Sequence, residues 1–167
     1  MAKNKLSASS FVEHGYGQVE PNHLSAQRTG QIYAQLPMAE SITTLENGQY
    51  VKYNYADKVV DFEGAGEWML VYNEVKTYGE REHDDDFAMT KENGGVPRVF
   101  KTNVGDIYTT NMINGTTATL TEGKTVAPNA TGILDPDAVA AEGMLWEIVK
   151  VYDLADGQKA VKLMRIQ

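Results

Sequence analysis

The sequence predicts an all-β protein, a small barrel or sandwich with hairpins, preceded by a long extended N-terminal arm. Three observations predict it. Runs rich in Val, Ile, Thr, Tyr and Phe recur from about residue 41 onward, the residue types that fit a pleated, half-buried surface. Asn47-Gly48, Asn114-Gly115 and Asp156-Gly157 each lie between two such runs, and these pairs tolerate the positive φ of a two-residue hairpin turn. Helix signals are confined to one short stretch, Asp135-Pro136 through Gly143, with a capping Asp, an early Pro and a closing Gly. That stretch allows one short helix of at most about two turns, or a compact loop.

The elements follow in order. Asn47-Gly48 predicts a hairpin joining 41–45 to 50–55, where Val51, Tyr53 and Tyr55 alternate with Tyr50, Lys52 and Asn54. A further β-rich run covers 68–78, and Asn93-Gly94-Gly95 reads as a longer loop. Asn114-Gly115 predicts a second hairpin between 106–113 and 116–121. The many threonines from Thr102 to Thr125 are interleaved with Val104, Ile107, Tyr108, Met112, Ile113 and Leu120, the mark of a sheet with a hydroxyl-bearing face. Asp156-Gly157 predicts the third hairpin, between 145–152 and 160–166. A soft boundary near 93–97 divides an acidic β-containing lobe, 38–94, from a C-terminal barrel or sandwich, 95–167, the two having separate cores or sharing one.

Residues 1–37 are polar and turn-rich. Their apolar side chains follow neither helical nor strand period. Fixing backbone costs about 1–2 kcal/mol per residue, so such a segment frays unless its own domain or a partner holds it. Phe11, Val12, Tyr16, Leu24, Ile32, Tyr33 and Leu36 are the expected partner-contact anchors. An extended arm of thirty residues reaches on the order of 100 Å.

Composition limits the function. The 167 residues suit one domain with extensions, and a hydrophobic content of 42% is ordinary for a folded protein. No apolar run approaches the roughly 20 residues of a membrane span. Lys3 and Lys5 precede no apolar segment, so no secretory leader is expected. The absence of cysteine excludes disulfides, thiolate metal sites and cysteine nucleophiles. The net charge of −8 is uneven: residues 1–94 carry 8 Lys and Arg against 15 Asp and Glu, residues 95–167 carry 7 against 8. Most of the excess lies in 61–86. Such a surface repels phosphate backbones, so nucleic acid is not an expected partner.

No group of residues has the pattern of a catalytic site. His14 and His23 sit in the arm, whereas catalysis needs groups held to about half an ångström. Glu80 to Asp86, with His83 among the carboxylates, lacks the alternate spacing and central Gly of a calcium loop and reads as a solvated charged loop. Ser9-Ser10 has no nucleophile-elbow context, and Gly15-Tyr16-Gly17 and Gly64-Ala65-Gly66 lack the strand, third glycine and helix of a dinucleotide loop. Trp68 and Trp146 could form a sugar platform, but both lie in strand-like apolar runs and are expected in the core. Catalytic residues, cofactor and metal ligands are therefore expected to be absent.

Three segments carry a family resemblance: Val104-Gly105-Asp106-Ile107-Tyr108-Thr109-Thr110-Asn111; Gly123-Lys124-Thr125-Val126-Ala127-Pro128-Asn129 with Gly132-Ile133-Leu134; and Trp146 to Tyr152 with Gly157 to Leu163. With Asn47-Gly48-Gln49-Tyr50-Val51 and Tyr72-Asn73-Glu74-Val75, residues 45–167 resemble the small β-barrel decoration, auxiliary or cement proteins of tailed-bacteriophage heads. The resemblance lies in overall cadence. It implies a non-enzymatic protein made in the host cytoplasm and placed on the outer capsid surface of the virion. The implied partners are the major capsid protein and further copies of the chain, for example in a trimer. It implies no catalytic residues. The alternatives are a carbohydrate or cell-surface binding module, with calcium at the acidic loop, another virion component (tail or connector), and a β-fold hydrolase with unrecognised carboxylates.

Overall fold

The computed structural model describes residues 19–24, 36–73, 88–90, 95–116, 118–138, 143–154 and 157–167. These residues are all-β. The first strands are β1 (Val19–His23), β2 (Thr44–Glu46), β3 (Tyr50–Asn54), β4 (Val59–Asp61), β5 (Met69–Val71) and β6 (Ala88–Thr90). They are followed by β7 (Val99–Phe100), β8 (Ile107–Thr110), β9 (Thr125–Pro128), β10 (Leu134–Asp135), β11 (Trp146–Asp153) and β12 (Lys159–Arg165). A six-stranded sheet, curled into a half-barrel, has the order β1-β8-β12-β11-β9-β10. A four-stranded sheet has the order β4-β3-β5-β7, and β2 pairs with β6.

The strands β3 and β5 explain how the sheets combine. Their side chains alternate faces, as any strand's must, and both faces are covered. Tyr50 and Leu70, with Trp68 just ahead of β5, point into a large cluster with Tyr108, Trp146, Ile148 and Leu163. Val51, Tyr53, Met69 and Val71 point the other way, into a second cluster with Met38, Ile42, Leu45, Val60 and Val99. Burial on both sides is why Trp68-Met69-Leu70-Val71 is apolar without interruption. The soft boundary expected near 93–97 falls between strands that share a sheet. Strand β7 lies beyond it yet joins the sheet of β3 and β5, and residues of 38–94 enter the core of 95–167.

One of the three expected hairpins forms. β11 and β12 pair antiparallel across the turn before Gly157, with a bulge between Ile148 and Lys150. Asn47-Gly48 makes a turn, closed by Gln49 N–H to Glu46 O at 3.1 Å, but the strands it joins do not pair with each other. β2 pairs with β6, and β3 pairs with β4 and β5. The glycine is needed for a crossing, not a hairpin. At φ +88° it lies against Thr110 and Met112, where a Cβ would sit 2.8 Å from Thr110 Oγ1. Asn114-Gly115 likewise leads into a turn at 116–119 and no strand. Of the stretch read as a short helix or a compact loop, Asp135 ends β10 and caps a turn by accepting the Asp137 N–H at 2.8 Å, residues 139–142 lie outside the described residues, and no α-helix occurs among the described ones.

Within the large core Tyr50 and Tyr108 share a hydroxyl–hydroxyl hydrogen bond of 2.8 Å. Trp146 meets Tyr108 edge-on at 4.9 Å and Tyr50 at 6.2 Å between centroids, contacts favoured by the ring quadrupoles. Burial pushes both phenols above the ordinary tyrosine value. For Tyr50 the neighbouring Tyr108 adds to the rise, and for Tyr108 the hydrogen bond from Tyr50 offsets part of it.

Two predictions follow from this pair. Tyr50→Phe leaves the Tyr108 hydroxyl buried without a partner and should cost about 1–3 kcal/mol, whereas Tyr50→Phe/Tyr108→Phe should cost less than the sum of the single variants; urea unfolding of the four proteins measures the cycle. Unfolded tyrosines release their protons near pH 10 while the buried ones hold theirs, so the pair's contribution is complete below about pH 10 and is lost above it. Denaturation midpoints should therefore fall in alkali, and less steeply for the double variant.

Candidate partner interface

The N-terminal stretch meets the body at β1. Its sequence is Val-Glu-Pro-Asn-His, and Pro21 explains its place. Proline has no N–H to give a ladder, so it is tolerated on edge strands. β1 is the edge of the six-stranded sheet, and its register on β8 runs Val19 to Thr110 and Glu20 to Thr109, then breaks before His23 pairs with Ile107. Side chains hold the rest. Thr109 Oγ1 donates to Asn22 Oδ1 at 2.7 Å. Thr109 Oγ1 also lies 2.6 Å from the Tyr152 phenol oxygen, a hydrogen bond in which either hydroxyl can donate. The phenol donates to Glu20 Oε2 at 3.1 Å. Burial raises the Tyr152 phenol, the Thr109 bond lowers it, and Glu20 raises it further. The ammonium groups of Lys150 and Lys162 sit 5.7 and 5.9 Å from the Tyr152 ring centroid.

Of the expected partner-contact anchors, Leu24 and Leu36 lie among the described residues. Leu24 is buried in the large core, 2% exposed, and Leu36 packs half-buried against the second cluster. Phe11, Val12, Tyr16, Ile32 and Tyr33 lie outside the described residues, as do His14, His83 and the acidic run Glu80 to Asp86. The arm expected over 1–37 is therefore interrupted by a strand and by two residues of the chain's own cores. Sequence reasoning missed β1 because four of its five residues are polar or Pro. The available signal was a proline flanked by Val19 and Leu24, in keeping with an edge strand.

Two further polar arrangements flank the sheets. Asn47 Oδ1 accepts the Asn73 N–H at 2.7 Å while its Nδ2 donates to Asn73 O at 3.1 Å, and Asn73 Oδ1 accepts the Arg98 N–H at 2.7 Å. This bracket fixes the chain where it enters 74–87. At the other end, a cleft of about 210 Å³ is lined by Asn114, Gly115, Thr116, Thr119, Lys124, Asp135, Pro136 and Asp137. Asp135 Oδ2 accepts from Asn114 Nδ2 at 2.7 Å and from Asn129 Nδ2 at 3.4 Å. Burial works to raise the Asp135 carboxyl, but these bonds, the Asp137 N–H and Lys124 outweigh it and hold the group below its ordinary value. Trp68 and Trp146 are both buried in the large core, so neither offers the exposed platform that a carbohydrate module would need. No cluster of metal-ligating side chains occurs among the described residues.

The class this architecture defines is an all-β protein with a strand-captured N-terminal stretch. Comparison with known proteins takes it no further: no family model, curated protein or solved structure matches the chain.

Tyr152→Phe removes the hydroxyl that bonds Thr109 and donates to Glu20. It should cost about 0.5–1.5 kcal/mol and speed amide hydrogen exchange selectively in β1, measurable by exchange mass spectrometry of the peptide covering 19–24.

Proposed function

We propose that this chain is a non-enzymatic structural protein of a phage virion that decorates the outer capsid surface and bridges major capsid protein subunits, with further copies of itself beside it. The observation that carries this reading is β1. Its main-chain pairing with β8, together with the buried Leu24, fixes Val19, the residue that the leading segment 1–18 precedes. Phe11, Val12 and Tyr16 fall in that leading segment and are the proposed anchors on the shell. With β1 seated, the leading segment reaches about 60 Å rather than the 100 Å of a wholly free arm. That length still crosses from one subunit to the next. Ile32 and Tyr33 belong instead to the connection between Leu24 and Leu36, whose two ends are held in the chain's own cores. The cadence shared with decoration proteins over 45–167 supports the same reading.

Residues 2–18 are separable in the experiment because β1 and Leu24 remain. A chain lacking 2–18 should keep the melting temperature of the full protein yet bind empty shells of its phage at least about tenfold more weakly, a loss of about 1.4 kcal/mol. Deletion of 2–36 should in addition lower the melting temperature, because it removes β1 and Leu24. Undiminished shell binding by the shorter truncation would falsify the leading segment as the anchor.

A further inference from the structure

Asparagine followed by glycine is the dipeptide most open to attack by the backbone on the side-chain amide, because glycine sets no side chain beside the attacking nitrogen. The chain has three such pairs, at 47, 93 and 114. Asn93-Gly94 lies outside the described residues. The other two stand in opposite environments.

Asn47 is 1% exposed. Both atoms of its amide are clamped by the Asn73 backbone, and the nitrogen that would attack it, Gly48 N, donates to Val71 O at 2.9 Å. Nucleophile and electrophile are both held, away from water. Asn114 and Gly115 line the open cleft. Nδ2 of Asn114 donates to Asp135, but among the described residues no hydrogen bond holds its Oδ1 or the Gly115 N–H. The future leaving group is bonded and the Asn114 N–H donates to Leu134 O at 2.8 Å, but neither the carbonyl oxygen nor the attacking nitrogen is held among the described residues as those of Asn47-Gly48 are.

We propose that Asn114 is a site of spontaneous covalent modification, deamidating in the folded protein while Asn47 is protected. Gly115 N gives its proton to hydroxide or water and attacks Cγ of Asn114. The Cγ–Nδ2 bond breaks and the nitrogen leaves as ammonia, closing a succinimide. One water then opens the ring at either carbonyl, giving aspartate or isoaspartate and one more negative charge. No oxidant or reductant takes part. The new carboxylate stands where an amide donated to Asp135 at 2.7 Å. A hydrogen bond is thereby replaced by like-charge repulsion, which separates the 114–119 turn from β10 and opens the cleft. Modification at this one position thus changes both the charge and the shape of this end of the protein as it ages.

The test follows the intact protein in mildly alkaline buffer at body temperature by peptide-mapping mass spectrometry, with isoaspartate read by enzymatic methylation and the urea-unfolded chain as reference. Asn114 should react in the folded protein at a rate close to its unfolded rate. Asn47 should react at least about tenfold more slowly than when unfolded, the factor that a local opening of about 1.4 kcal/mol imposes. Asn114 slowed as much as Asn47, or Asn47 as fast as Asn114 in the folded chain, overturns the proposal. Asn114→Asp carries the product charge without the reaction. Its melting temperature should lie below that of the parent at neutral pH and recover as the pH falls through the carboxylate range, and an unchanged melting temperature at neutral pH overturns the opening of the cleft.

Discussion

The fold depends on two short strands being buried on both faces. β3 and β5 send alternate side chains into two clusters, and each large side chain so buried contributes about 1.5–3 kcal/mol. Neither cluster is complete without them. The large one needs Tyr50, Trp68 and Leu70, and the second needs Val51, Tyr53, Met69 and Val71. The chain is also held close at this point. Tyr50 N–H donates to Gly132 O at 2.7 Å, and Gly132, at φ +70°, approaches so nearly that a Cβ would lie 1.9 Å from Tyr50 O. No side chain fits there, so glycine at 132 sets the spacing between the sheets.

A core arranged in this way tolerates polar groups only where they find one another. Tyr50 and Tyr108 satisfy each other, as do Asn111 and Gln158 at 3.1 Å. The indole nitrogens of Trp68 and Trp146 have no hydrogen-bond partner among the described residues, a cost of about 1–3 kcal/mol for each buried donor. Aromatic packing offsets part of it. Trp146 lies against two tyrosines, and the Lys52 ammonium sits 4.5 Å from the centre of the Trp68 ring, a contact worth about 2 kcal/mol or more when desolvated. Both tryptophans are therefore structural, and the surfaces open to a partner are elsewhere.

Those surfaces lie at edges and loops. The hydroxyl network of Thr109 and Tyr152 fixes β1 by its side chains where Pro21 weakens the ladder, and so determines where the leading residues depart. The cleft around Asp135 joins the turn after Asn114 to β10 through one carboxylate. A fold of this kind does not by itself specify an activity. The proposed function accordingly rests on the captured strand, and the anchors ahead of it and the resemblance to decoration proteins are part of that proposal.

The sequence by itself determined the strands β3, β5, β8, β11 and β12, the turns at Asn47-Gly48 and Asn114-Gly115 and the burial of both tryptophans, because β-propensity, Asn-Gly chemistry and apolar runs act within a few residues. It also determined the β11–β12 hairpin, whose partners are adjacent in the chain. Only the tertiary structure decided which strands pair elsewhere. Asn47-Gly48 and Asn114-Gly115 turn the chain as expected, yet the strands beside them find partners dozens of residues away. A turn pair fixes local φ and not the identity of the neighbour. Tertiary structure likewise took Leu24 and Leu36 out of the expected arm, since Pro-interrupted, polar β1 becomes a strand only against β8. Leu24 is an anchor, but for its own core, because whether a scattered apolar side chain faces a partner or its own domain depends on surfaces that the local sequence does not encode.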